Sequence, residues 1–327
     1  MFKSARGLRF GLLVKYRQQI GLLTVGFLVL VLFMIASPQV FLKSGIYGSF
    51  LITVPFVGIM GLGLTVVLIT GEIDMSFPGV MTFAGYVFAT LYQLTGSILL
   101  SLVGGIVTGG IAGLCSGLLI TRIGVPSIVV TLGMLFLLQG STNVLAAGFQ
   151  KVLPGIAKSP LYVFFVGKIG GIIPLQALWF AFLAICLWYL LFRHKFGDDV
   201  LFVGDNKNMA YMMGINVNLV KILVFVLMGA IAAFAGILNT MYMRTWWPTM
   251  GEGCMMPTFA TVFVGGTSMF GGEGTIFGTF VGAFIIGSLE AGIVAVGLTG
   301  FWTQLFYGLI ILIAVTLHTI LRKRKQL

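Results

Sequence analysis

The sequence predicts an all-α, polytopic membrane protein of about ten transmembrane helices. Of its 327 residues 59% are hydrophobic and only 8% charged, and the mean hydropathy is +1.11. A chain with so little polar surface cannot meet water over most of its area. Apolar runs recur along its whole length with no charged or Pro/Ser-rich linker between them, which predicts a single membrane domain over residues 1–327. Basic residues fall in short groups between those runs, the pattern that orients helices in a bilayer rather than one that binds nucleic acid.

A helix needs roughly 20 apolar residues to cross about 30 Å of hydrocarbon. That yardstick places spans at 20–36, 49–70, 78–94, 98–121, 125–147, 174–192, 221–242, 256–270, 275–295 and 301–320. The first follows Lys3, Arg6, Arg9, Lys15 and Arg17, a charge order like that of a signal peptide. No small-x-small cleavage site follows it, so an uncleaved first span is expected. With both termini in the cytoplasm, fourteen of the 19 basic residues fall inside, including Arg122, Arg193, Lys195, Lys207, Lys221 and Arg322 to Lys325. Lys43, Lys151, Lys158, Lys168 and Arg244 fall outside. The asymmetry sets an even number of spans and their direction.

Two glycine rows mark close helix packing. Gly105, Gly109, Gly113 and Gly117 repeat every four residues in the fourth span, and Gly274, Gly278 and Gly282 do so in the ninth. Where lipid removes the hydrophobic drive, such small-residue rows let helix backbones approach.

The second and third spans are joined by Gly71-Glu72-Ile73-Asp74-Met75-Ser76-Phe77-Pro78-Gly79. Carboxylates beside hydrocarbon are costly and tend to face a bundle interior, a pathway or a partner. Glu72, Asp74 and Ser76 are therefore candidate pathway residues on a broken helix whose freed backbone groups line a protected cavity. Asp74 or Ser76 could equally cap the helix that follows, with Pro78 at an early helical position. A second broken hairpin is expected at Gly265 to Gly274, where the Lys-Ser/Thr of a phosphate loop is missing. Glu273 should favour the start of the ninth helix by its charge, and Glu290 should reach the interface near its outer end.

The longest inner segment, from Arg193 to about Val220, should carry a short helix from Lys207 to Met213. Asp205 or Asn206 would be its N-cap and Gly214 its left-handed terminus. Lys207, Asn208, Met209, Tyr211, Met212 and Met213 give it a mixed polar and flexible apolar face, suited to a groove in another protein or to lipid headgroups. Catalytic constellations are absent: His194 and His318 are the two histidines, and Cys115, Cys186 and Cys254 are unclustered packing residues that suggest neither disulfide nor metal site. No ATPase motif is present, so energy for transport would come from elsewhere.

Four segments in order resemble the permease subunits of bacterial sugar ABC importers, the group of the ribose, xylose, arabinose and autoinducer-2 permeases. Thr70 to Ser76 is similar to G-G-I-D-L-S, and Pro126 to Gly133 to P-x-x-I-V-T-L-G. Phe196-Gly197, Val203 to Asn206, Ala210 and Gly214 to Val217 are similar to the cytoplasmic F-G, A-x-G-x-N, A and G-I-x-V positions. Gly265 to Ser268 with Gly271 to Gly274 resembles G-G-T-S-x-x-G-G-x-G. The resemblance implies a type II importer-like permease in the inner membrane. Its partners would be a second permease subunit, two cytoplasmic ATPase subunits holding ATP and magnesium, an extracytoplasmic solute-binding protein and membrane lipid. No cofactor or metal is expected in the chain itself. The helix from Asn206 to Met213 would be the coupling helix, and the five outer basic residues would dock the binding protein. Glu72 departs from the family's second glycine, and Cys254-Met255-Met256-Pro257 stands where Tyr-Glu-Leu-Asp is common. The alternatives are a related permease for branched-chain amino acids or nucleosides, and a proton-coupled carrier using Glu72 and Asp74.

Overall fold

The computed structural model describes residues 17–326. Lys3, Arg6, Arg9 and Lys15 lie outside the described residues, as do the side chains of Arg17 and of Arg322 to Lys325. Each predicted span corresponds to one helix: α1 (Arg17–Ala36), α3 (Ser44–Ile69), α4 (Phe77–Thr95), α5 (Ile98–Leu118), α6 (Ser127–Ala146), α8 (Leu175–Arg193), α11 (Val217–Met243), α12 (Met255–Val264), α13 (Ile276–Ala295) and α14 (Gly300–Gln326). Between them lie the short helices α2 (Pro38–Phe41), α7 (Pro160–Val166), α9 (Lys195–Asp205) and α10 (Lys207–Met212). Seven of the long helices are long and apolar enough to cross a membrane; α4, α12 and α14 are the others. Alternating helix directions give the bundle a lower end, with α9 and α10, and an upper end, with α2, α7 and two small hairpins. In those hairpins β1 (Lys151–Val152) pairs antiparallel with β4 (Thr245–Trp246), and β2 (Lys168–Ile169) with β3 (Ile173–Pro174).

α3 is the axis of the bundle, buried on every side from Val54 to Thr70 save at Val57. α11 lies beside it: a Cβ on Gly63 would meet the Met228 sulfur at 2.7 Å. The first glycine row of α5 faces α11, where Cβ atoms at Gly109 and Gly113 would overlap the carbonyls of Gly229 and Phe225. A Cβ at Gly117 would stand 2.9 Å from Ile222 Cα. On the opposite stripe of α5, Val103, Val107, Ile111, Leu114 and Leu118 are exposed, as expected of a helix with one face on protein and one on lipid. The second row does the same for α13, with Gly278 against Gly265 and Gly282 against the Thr261 carbonyl of α12. Two of the buried hydroxyls are satisfied locally: Thr65 and Thr82 donate to the carbonyls four residues back, both at 2.9 Å.

Two expectations need correction. The eighth span does not run to residue 270, because α12 ends at Val264 and Gly266 turns the chain at a φ of 87°. Its 10 residues rise about 15 Å, half the hydrocarbon thickness. The other half is crossed by the irregular segment 245–254, which descends from the upper end until the Gly251 amide donates to Thr82 Oγ1 of α4 at 2.9 Å. The segment from Arg193 to Val220, expected to hold one short helix, holds two: α9, of 11 residues, precedes α10 with Asn206 alone between them.

α4 begins part-way up the bundle. Glu72 lies beside Lys221 in the first turn of α11, whereas Met81 packs on Gly236, about 22 Å further along α11 at 1.5 Å per residue. Residues 71–76 are non-helical, and they carry the chain up into the bundle before α4 begins.

Candidate functional site

The two irregular segments meet inside the bundle. From above, Gly251 rests on the first turn of α4 so closely that a Cβ would overlap the Pro78 carbonyl and stand 2.6 Å from Thr82 Oγ1. Trp246, fully buried, donates its indole N–H to the Thr82 carbonyl at 2.9 Å. The Phe77 ring, at the start of α4, lies 6.1 Å from the Phe259 ring in the middle of α12. α4 therefore begins in the protein interior, and α12 is buried from Pro257 to Phe263. The starts of broken helices offer unpaired backbone N–H groups where lipid cannot reach, the arrangement membrane transporters use to line a pathway.

Glu72, Asp74 and Ser76 divide. Glu72 forms an ion pair with Lys221, both side chains being largely buried. Asp74 is buried, and its Oδ1 accepts from the Ser76 amide at 2.7 Å and from Ser76 Oγ at 2.6 Å. Ser76 occupies the N-cap position of α4, but no side chain caps that helix. Asp74 thus closes the turn that leads into α4 instead of capping it. Ile73 ties the same segment to α6, its amide donating to Ser127 Oγ at 3.2 Å.

At the lower end three stretches of backbone cross at glycines. A Cβ on Gly204, in the last turn of α9, would overlap the Ile69 carbonyl and stand 2.7 Å from the Gly272 nitrogen. Gly272 donates its amide to that same Ile69 carbonyl at 2.9 Å. A Cβ on Gly271 would meet the Gly204 oxygen at 2.7 Å and Gly71 Cα at 3.0 Å. Gly71, Gly271 and Gly272 also have positive φ, 78°, 84° and 74°, where side chains are disfavoured. The glycine run thus holds the end of α3, the end of α9 and the α12–α13 loop together. Glu273 precedes α13, whose N-cap is Thr275, Oγ1 accepting from the Gly278 amide at 3.0 Å.

α10 hangs from this crossing. Asn206 is its N-cap, Oδ1 accepting from the amides of Asn208 at 3.0 Å and Met209 at 3.2 Å; Asp205 is the last residue of α9. Ala210 is buried and receives the closing bond of the helix from the Ile215 amide at 3.1 Å; Gly214 has a φ of 80°. Lys207, Asn208, Met209 and Met213 are exposed, and Tyr211 and Met212 are 74% and 85% exposed. At the far end of the bundle are all five basic residues expected outside. Lys43 precedes α3, Lys158 ends a 3₁₀ turn and Lys168 opens β2. Lys151 stands 5.1 Å over the Tyr86 ring, and Arg244 Nε donates to the Tyr162 hydroxyl at 3.1 Å. The Glu72–Lys221 pair was beyond sequence reasoning, because 149 residues separate its members. Among the described residues no group of His, Cys, Asp and Glu could hold a metal ion. The cysteines are free, Cys115 and Cys186 being exposed rather than packed.

Helices that start inside the bundle, a ring of apolar spans and a short exposed helix at one end are the build of a multi-pass membrane transporter. The comparisons with known proteins name its lineage. The chain belongs to the family described as branched-chain amino acid transport system / permease component, which matches residues 46–315. Among its curated relatives, the ribose import permease protein of Escherichia coli (strain K12) is 31% identical, over 79% of this chain and 80% of its own. The fructose import permease protein of Rhizobium meliloti is 31% identical, over 91% and 86%. The autoinducer 2 import system permease protein of Salmonella typhi is 27% identical, over 83% and 82%. No solved structure matches the chain.

Proposed function

We propose that this chain is the transmembrane permease subunit of an ATP-driven ABC importer for a small sugar or sugar-like solute, working by alternating access in the bacterial inner membrane. Relatives named for ribose, fructose and autoinducer 2 import support the substrate class, although the family's own description is of branched-chain amino acid transport. The observation that carries the dependence on a partner is α10. Its Tyr211 and Met212 are 74% and 85% exposed on a segment whose anchoring glycines leave no slack.

In this reading α10 is the coupling helix of Asp205 to Gly214, seated in a groove of a cytoplasmic ATPase subunit that binds ATP and magnesium. Two permease subunits and two ATPases form the core, both termini lie in the cytoplasm, and a solute-binding protein docks at the opposite face on Lys43, Lys151, Lys158, Lys168 and Arg244. Movement imposed on α10 passes through Gly204 to the end of α3 and to the α12–α13 loop, hence toward α4 and α12. Asp74 and Ser76 hold the turn into α4, and Glu72 with Lys221 latches that turn to α11. Supplying the pathway requires no bond-making chemistry of this chain.

Uptake by proteoliposomes tests the reading. D-ribose, L-arabinose, D-fructose and D-allose are offered to the chain reconstituted with its ATPase and binding protein. ATP-dependent accumulation of one or more of them, lost when the ATPase is left out, is expected. Accumulation by the chain alone under a proton gradient would replace the importer by a secondary carrier.

A further inference from the structure

An apolar groove of about 480 Å³ opens between the upper halves of α3 and α13. Val40 of α2 lies at one side and Pro257, in the first turn of α12, at its floor. The groove thus runs from the upper end down to the start of a half-helix. Its wall is hydrocarbon apart from Ser49, Thr53 and Glu290. Glu290 lies within α13, five residues short of its last residue, Ala295. A carboxylate inside a span is expensive and calls for a partner. Among the described residues no Lys, Arg or His pairs with it; its partner is Tyr307 of α14, whose buried hydroxyl donates to Oε2 at 3.0 Å. The bond fixes one oxygen of a carboxylate that is itself exposed and lines the groove, near the outer end of its helix as expected.

The chemistry of the wall is one-sided. Ser49 spends its proton on the Gly45 carbonyl at 3.2 Å and Thr53 on the Ser49 carbonyl at 3.1 Å. That leaves the oxygens of these lining residues, Oε1 of Glu290 included, as acceptors with no proton to give. Such a wall welcomes a molecule that brings hydrogen-bond donors, and it repels carboxylates and phosphates. The volume falls in the range of small-molecule sites, which are mostly apolar with few polar groups.

We infer that the groove between α3 and α13 is a solute site, in which Glu290, held by Tyr307, and the hydroxyl oxygens of Ser49 and Thr53 take the hydroxyl groups of a neutral polyhydroxylated molecule. The inference rests on the importer reading and sharpens it, because an acceptor-only wall disfavours the carboxylate of a free amino acid. Apolar walls face the C–H surfaces of the solute. The groove's position at the upper end, shared with the five basic residues, makes it the first site the solute meets.

The test uses the assembled transporter with its ATPase and binding protein, and the same four sugars. Glu290→Ala should lower uptake by about tenfold or more, the loss expected for a hydrogen bond to a charged group. Glu290→Gln, which keeps one acceptor, should lose less, and the sugar concentration giving half-maximal uptake should rise in both. Thr53→Trp fills the groove from an exposed position and should block uptake with the assembly intact; it decides the matter if Glu290→Ala fails to assemble. Wild-type uptake by both Glu290→Ala and Thr53→Trp, in a transporter that carries one of the sugars, would overturn the groove and leave the importer reading standing. A wild-type transporter that carries none of them would sink the importer reading itself. Glucosamine carried in place of the neutral sugars, and lost in Glu290→Ala, would overturn the neutral-solute assignment. Phospholipid retained by the wild type and lost from Glu290→Ala, with uptake unchanged, would make the groove a lipid site and equally refute the inference.

Discussion

A single methyl group separates two neighbouring glycines of α5. At Gly113 a Cβ would overlap the Phe225 carbonyl, while at Gly110 its nearest neighbour would be Val226 Cγ1 at 3.9 Å. Gly113→Ala should therefore destabilise the bundle by about 1–3 kcal/mol, the usual cost of overpacking, and Gly110→Ala should be neutral. Thermal unfolding in detergent separates them: the midpoint should fall for the first and stay for the second. The Glu72–Lys221 pair gives a second residue-scale prediction. Lys221→Met leaves the Glu72 carboxylate largely buried without its partner, so it should cost about 1–3 kcal/mol, between surface and buried pairs. Adding Glu72→Gln should recover part of that loss, and a double-mutant cycle measures the coupling. Additive losses would mean the pair contributes nothing.

At the scale of elements, α10 was legible and α9 was not, for one physical reason. Asn206 and Gly214 announce the two ends of a short helix by side-chain capping and left-handed backbone, signals local enough to read from residue types. Lys195–Asp205 lacks such punctuation at its C-terminal end, where α10 starts one residue later. The half-length of α12 was hidden in a similar way: Gly265 to Ser268 carry no charge, so the span expected over 256–270 runs past Val264, where the helix stops. Hydropathy counts residues suited to lipid and cannot tell helix from a loop covered by protein. For α10 itself, Met212→Asp with Gly214→Pro should abolish co-purification with the ATPase while the chain still inserts. The double change puts a charge on its most exposed methionine and a ring at a position of positive φ. Undiminished co-purification would mean the helix lies on lipid headgroups instead.

For the whole molecule, the number, order and places of the spans followed from hydropathy and glycine spacing, because both act within one helix. Which segments meet across the bundle did not. The partners of Gly251, of Glu72 and of Gly204 lie far away in sequence, and each contact depends on how neighbouring helices are set against one another. Of the candidate pathway residues, the sequence pointed to Asp74 and Glu72 on the cost of their charge alone, which does not say whether a carboxylate meets a partner or a passage. The two ends of the bundle can be assigned to their compartments by labelling. With Cys115, Cys186 and Cys254 replaced, a cysteine at Lys158 should react in whole cells with a thiol reagent that cannot cross membranes. One at Lys207 should react only after the cells are opened. The reverse pattern would invert the topology.

Where Gly71, Gly204 and Gly271 cross, no side chain stands between one stretch of main chain and the next. Side chains ordinarily act as cushions, since a rotamer change absorbs an ångström of movement before a neighbour feels it. Main chain in direct contact has no such play. The crossing is thus a joint without backlash, in which a small displacement of α9 reaches the end of α3 and the α12–α13 loop undiminished. Its tolerance is less than one methyl group, so Gly204→Ala should uncouple ATP hydrolysis from uptake even where the bundle still assembles.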